Sequence, residues 1–143
     1  MTMPVALEPR SAVSHRDRAL ALAAVAAARP LARLSPRRLR QVLRLARRGA
    51  RPASAERALA ARRAVVVVSV RCAGQGCLQR SIATALLCRF RGAWPVWCAG
   101  VRTEPFQAHA WVETGDGPVG EADDVGLYRK IMTVPPVDGE APR

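Results

Sequence analysis

"GQGCLQRSIATALLCRFRG", residues 74–92, sets a cysteine between a glycine-rich turn and an apolar run of helical period. Leu78, Ile82, Ala85 and Leu86 follow i, i+4, i+7, i+8 spacing along one helix face, and Gly92 supplies the stop. Cys77 thus stands at the start of the predicted helix. Unpaired N–H groups and a partial positive charge there favour thiolate over thiol. The same N–H groups can hold an oxyanion forming on an attacked carbonyl. Gly74 and Gly76 leave the approach to the sulfur uncrowded. Cys77 reads either as a small buried hydrophobe that opens a helix or as a nucleophile.

Beyond Gly92 the period changes to two. "PVWCAGV" (95–101) and "QAHAWVET" (107–114) read as strands, with a hairpin through residues 115–117 into "PVGEA". A thiol nucleophile needs an imidazole as ion-pair partner and proton carrier. His15 lies in a loose N-terminus, whereas His109 lies in the second strand, sharing a face with Trp111 and Glu113. Ala108, Ala110 and Val112 form the other face. Glu121, Asp123 and Asp124 are candidates for the acid that orients the imidazole. A two-residue turn puts Glu121 and Asp123 on the face opposite His109, and a three-residue loop puts both on its face. Spacing admits a triad without picking its acid.

Upstream, "SHRDRALALAAVAAARP" (14–30) and "SPRRLRQVLRLARRGARP" (35–52) read as helices, the second with Ser35 as N-cap and Pro36 at its first position. Leu39, Val42, Leu43 and Ala46 share one face of it, and arginines fill the other. A third helix is capped by Ser54 and continues to about Ser69, although "VVVVSV" favours a strand. The fold class is α+β: basic amphipathic helices followed by a Cys-bearing helix packed on a small antiparallel sheet. The chain divides into a flexible N-terminus (1–16), a basic helical region (17–67), a core (68–136) and a flexible tail (137–143).

The 143 residues suit one compact domain, and an apolar half excludes a disordered chain. The net charge of +12 comes from 22 arginines and a single lysine, Lys130. That excess suits an anionic partner, and it equally suits a GC-rich genome. No aromatics interleave with the N-terminal arginines to stack bases, so no nucleic-acid partner is expected. Cys72, Cys77, Cys88 and Cys98 contain no C-x-x-C pair, and Cys88 sits inside the helical run, which argues against zinc. The apolar run at 19–28 is too short to span a bilayer, and no orthodox signal peptide precedes it. The expectation is a cytoplasmic protein with reduced thiols.

The run "CLQRSIATALLCRFRGAWPVWCAGVRTEPFQAHAWVETGDGPVGE" resembles the lasso-peptide maturation proteases, small cysteine peptidases of the transglutaminase-like superfamily that remove a leader from a ribosomally made precursor. The likeness covers residues 68–136, carried by C-L-x-R-S-x-A at Cys77, G-V-R-T-x-P-F at Gly100 and H-A-W-V-E at His109, and the basic helices look similar to that family's N-terminal region. The resemblance implies a papain/transglutaminase-like core with Cys77 as nucleophile and His109 as general base and acid. The family's third residue, usually an aspartate, falls on Glu121, with Asp123 as the alternative acid. The Cys77 N–H would hold the oxyanion, with Gln75 as second donor. The implied partners are the leader region of a lasso precursor, a separate leader-recognition protein for which residues 33–51 offer a basic docking face, and an ATP-dependent, asparagine-synthetase-like macrolactam synthetase. No metal or nucleotide is implied.

Trp94, Trp97, Arg102, Phe106 and Trp111 are candidates for the substrate cleft, although for the first two core packing is the first reading and a cleft wall the alternative. Cys88 and Cys98 read as buried packing residues, and Arg80 and Ser81 as anchors of the Cys77 loop. Two other readings remain at this level: acyl transfer to an amine by the same Cys-His machinery, or a basic nucleic-acid-binding module in which Cys77 is structural.

Overall fold

The computed structural model describes residues 14–74 and 76–137. Of the loose ends expected at 1–16 and 137–143, residues 1–13 and 138–143 lie outside the described residues, as does Gln75 with its suggested oxyanion role. Serine starts each of the first four helices. Ser14, Ser35, Ser54 and Ser69 accept from the backbone N–H three residues on, capping α1 (His15–Leu31), α2 (Pro36–Ala46), α3 (Ala55–Val68) and the single turn α4 (Val70–Ala73). Helix α1 therefore begins at His15, so residues 14–16 belong to it rather than to a flexible terminus. Serine at 69 ends α3 and caps α4, which breaks the valine run into two helices instead of a strand.

The Cys77 segment forms α5 (Cys77–Phe90), and Gln79 and every residue from Ser81 to Cys88 are buried. A helix can be enclosed this fully only if its neighbours approach closely. Alanine makes that possible: Ala21, Ala24 and Ala28 of α1, and Ala58, Ala61 and Ala64 of α3, turn small faces onto it. The basic helical region and the core therefore share one hydrophobic interior.

The sheet is antiparallel, with β3 (Val96–Arg102) and β4 (Gln107–Thr114) at its centre. Beside β4 runs the short β5 (Gly117–Pro118), so the expected strand "PVGEA" ends after one residue of that stretch. On the other side lies β6 (Arg129–Val134), a strand that sequence patterning missed because its residues are mostly exposed and do not alternate cleanly. Between Ala99 and Gly100 the register slips: Ala99 faces Met132 and Gly100 faces Lys130, so Ile131 is an unpaired bulge residue. A separate parallel pair, β1 (Arg51–Pro52) with β2 (Ala93–Trp94), ties the end of the α2 loop to the end of the α5 loop.

Long-range cationic hydrogen bonds fasten these layers. Arg89 of α5 donates from Nε to the carbonyl of Ala46 (2.7 Å) and from Nη2 to that of Arg48 (3.0 Å), satisfying the C-terminal carbonyls of α2. Arg47 Nη1 donates to the Pro135 carbonyl at 2.7 Å, and Trp94 Nε1 to that of Val134 at 3.0 Å. Trp94 is fully buried, as its core reading expects, and does not line the cleft, which corrects the alternative that made it a substrate wall. No helix among the described residues is long and apolar enough to cross a membrane.

The Arg89 contacts can be tested by truncation. Arg89→Ala is expected to cost about 1–2 kcal/mol by urea denaturation, because the charged-donor bonds to the Ala46 and Arg48 carbonyls are lost. An unchanged midpoint would show that water replaces the cap.

Candidate active site

Cys77 is the first residue of α5, and unlike the four helices before it this one has no side-chain cap. Its leading N–H groups are thus left without a side-chain acceptor. The turn before it is held by its own backbone and one arginine. Gly76 donates to the Arg71 carbonyl at 3.1 Å, and a Cβ at that position would lie 2.6 Å from the same oxygen, so only glycine fits. Arg80 Nη1 donates to the carbonyls of Cys72 (3.0 Å) and Gly74 (3.1 Å), anchoring the loop from one turn inside the helix. Ser81 ties the helix to the sheet instead, since its Oγ donates to the Leu78 carbonyl and accepts from Trp97 Nε1 at 3.0 Å.

Strand β4 brings His109 and Ala110 beside Cys77 along one cleft, where the imidazole and the Ala110 N–H both favour the thiolate. Burial raises the thiol's pKa, but His109, the Ala110 N–H and the Arg80 charge together outweigh it and hold Cys77 below the ordinary value of 9.0. His109 is pushed the other way, up to about 9, first by its bond to Cys77 and then by Glu121. The two shifts describe one thiolate–imidazolium pair that titrates as a unit. The other three thiols contrast with it: Cys72 is raised by burial, and Cys88 and Cys98 are pushed by burial to about 12. All four cysteines are free, and Cys72 is buried.

Glu121 Oε2 lies 2.8 Å from His109 Nε2, with both side chains largely buried. That leaves Nδ1 for the sulfur. The hairpin achieves this by a route that the ladder rule does not foresee. Thr114 pairs with Gly117, which is a two-residue turn, and a continued ladder would put Glu121 opposite Ala110 on the wrong face. Val119 still donates to the Val112 carbonyl, but Gly120 then adopts φ +65° and turns the chain out of the ladder, bringing Glu121 back to the imidazole. Asp123 does not join it. It starts the exposed 3₁₀ turn Asp123–Leu127 and has no contact with His109.

Three rings meet on the outer side of the pair. The Trp111 indole stacks on His109 with centroids 5.6 Å apart and planes 15° apart, and Tyr128 lies 5.3 Å from His109 and 6.2 Å from Trp111. Glu113 steadies the stack, accepting from Trp111 Nε1 at 2.9 Å and from Lys130 Nζ at 2.7 Å. Tyr128 escaped sequence analysis because it follows a 3₁₀ turn, where no periodic pattern marks it. Arg102, expected in the cleft, instead packs over the Tyr128 ring at 5.4 Å with Asp124 3.9 Å away. Phe106 is 72% exposed on the β3–β4 turn and outside the cleft.

The cleft beside Cys77 and His109 has a volume of about 270 Å³. Trp97, 1% exposed, packs in the core and borders the cleft, which is also lined by Leu34, Pro36 and Leu39 around the start of α2 and by Ile131 and Met132 of β6, none of which the sequence pointed to as cleft residues. Apart from the reactive pair its lining is apolar.

Three tests follow from this electrostatic arrangement. Alkylation of Cys77 followed against pH is expected to show thiolate at pH values well below those of an ordinary cysteine, and His109→Ala is expected to return it upward. On the histidine side, a pKa raised from 6.5 to about 9 adds stability that is complete below pH 6.5 and lost as pH rises through 9. Gly120→Ala forces an alanine into the left-handed region with its Cβ 2.8 Å from Arg62 Cδ. It is expected to cost about 1–2 kcal/mol by urea denaturation and, by displacing Glu121, to lower the His109 pKa in an NMR titration.

The profile described as the transglutaminase-like superfamily matches residues 21–133. No curated protein and no solved structure matches the chain. The superfamily generally consists of Cys-based enzymes and includes cysteine proteases and acyltransferases. The matched span runs from α1 to β6 and contains Cys77, His109 and Glu121. This chain belongs to the transglutaminase-like superfamily.

Proposed function

We propose that the chain is a cytoplasmic cysteine peptidase that cuts the leader from a lasso-peptide precursor, with Cys77 as nucleophile, His109 as general base and acid, and Glu121 orienting the imidazole. The observation that carries this reading is the His109–Glu121 pair at 2.8 Å with Cys77 and His109 lining one apolar cleft, Cys77 being the first residue of a helix that has no side-chain cap. The Cys77 thiolate adds to the carbonyl carbon at the leader–core junction, and the resulting oxyanion is held by the Cys77 N–H. As the C–N bond breaks, the His109 imidazolium gives its proton to the departing amine, which leaves a thioester on the sulfur. His109 then takes a proton from water, the hydroxide adds to the thioester, and the leader departs with a new carboxylate while the thiolate is restored. No step calls for a metal or nucleotide.

The specific resemblance of the Cys77, Gly100 and His109 motifs to lasso maturation proteases supports the leader substrate. In this reading a separate leader-recognition protein delivers the precursor, and an ATP-dependent, asparagine-synthetase-like macrolactam synthetase closes the released core. The exposed arginines of α2, among them Arg37, Arg38 and Arg40, are the docking face for that delivery.

Mass spectrometry of a lasso precursor incubated with the protein and a leader-recognition protein tests this. Wild type is expected to release one leader fragment, Cys77→Ala none, and His109→Ala to slow release by about 10²–10⁴-fold. A leader–amine conjugate in place of a free carboxylate would reassign the enzyme to acyl transfer, and equal cleavage by Cys77→Ala would end the thiol mechanism.

A further inference from the structure

Resting on the thiol chemistry above, we propose that the cleft between α2, the start of α5 and the β6 bulge is a specificity pocket that takes one large apolar side chain of the substrate, of the leucine or phenylalanine class, beside the attacked carbonyl. Four observations converge on it. The wall formed by Leu34, Pro36, Leu39, Val101, Ile131 and Met132 presents no charged group, and the titratable side chains in the lining are Cys77 and His109 themselves. An ionised substrate side chain entering there would lose its hydration without finding a partner, whereas an apolar one gains by leaving water. The volume of about 270 Å³ lies near the lower end of the roughly 300–1,000 Å³ of small-molecule sites and leaves room for one large apolar side chain.

The other two observations concern how the wall is made. Ile131 is the extra residue of the β6 bulge, lines the cleft, and is 64% exposed despite its size. Bulges commonly re-aim a side chain next to a reactive site. Here the result is a large aliphatic group held against the cleft with much of its surface uncovered by the chain. The opposite wall is firm: Leu39 is buried at 4% exposure, and the α1–α2 corner that carries Leu34 and Pro36 is fixed by the Ser35 cap. An apolar pocket of this kind separates side chains that differ by one methylene by about 10-fold or more.

The test uses the thiol's own reactivity. Iodoacetamide, its N-hexyl derivative and a derivative with a neutral oligo-ether tail of equal length share one warhead and differ in what the pocket would bind. Rates of Cys77 alkylation are read by peptide mapping at pH 6, with glutathione as the reference thiol. The expected result is an N-hexyl-to-iodoacetamide rate ratio at least about 10-fold above that of glutathione, with no such gain for the ether tail, and collapse of the gain in Ile131→Asp. The iodoacetamide rate of that variant reports whether its thiolate pair still forms, and Val101→Asp repeats the test from the other strand. Rapid alkylation by iodoacetamide with no tail preference, or a preference untouched by both substitutions, overturns the pocket and leaves the thiol chemistry standing. Alkylation of Cys77 no faster than glutathione by all three reagents overturns both.

Discussion

Everything in this molecule is arranged around the enclosure of α5. A 14-residue helix that is buried from Gln79 to Cys88 except at Arg80 cannot shift along its axis without breaking contact on every side. The alanine faces of α1 and α3 bring its neighbours within packing distance, and the sheet closes the remaining side. The position of Cys77 follows, because it is the first residue of a helix that has no freedom to move. Arg89 at the far end of the same helix ties it to α2, so the helix that bears the thiol and the helix that walls the cleft are held to each other.

The electrostatics of the site depend on that rigidity. Burial by itself would neutralise a thiol, as it does for Cys88 and Cys98. At Cys77 a partly buried sulfur meets an imidazole, a backbone N–H and a nearby guanidinium, and those together reverse the sign. The imidazole is held in turn by Glu121 and by the indole of Trp111, which Glu113 and Lys130 steady from behind. The four free cysteines are thus pushed in different directions, Cys77 toward thiolate and Cys72, Cys88 and Cys98 toward thiol, for physical reasons that are visible residue by residue.

The helical region contributes more than a support. Its alanines complete the core, and its second helix, with the turn before it, places Leu34, Pro36 and Leu39 beside the reactive pair. One helix therefore carries apolar residues toward the cleft and arginines toward solvent, joining the two surfaces on which a peptide substrate and its carrier would converge.

Much of the fold was legible from local signals. Ser35 with Pro36, Ser54, the helical period after Cys77 and the alternation around His109 each act over a few residues, and each element formed where those signals lie. The strand β6 and the turn α4 were not legible, since one is mostly exposed and the other is a single turn set by Ser69. Cys77 and His109 stood out because helix starts and strand faces are local facts. Which acid meets the imidazole was not a local fact. The ladder predicts the wrong face for Glu121 in a two-residue hairpin, and the answer came from one positive φ at Gly120, a conformation that glycine permits but does not announce. The cleft wall is of the same kind. Leu34 and Leu39 lie around the start of α2 and Ile131 in β6, more than ninety residues later, and no pattern within either segment says that they will meet. Periodicity and capping act between near neighbours and are written in the sequence; register breaks and shared walls depend on what packs against what, and only the tertiary structure decides them.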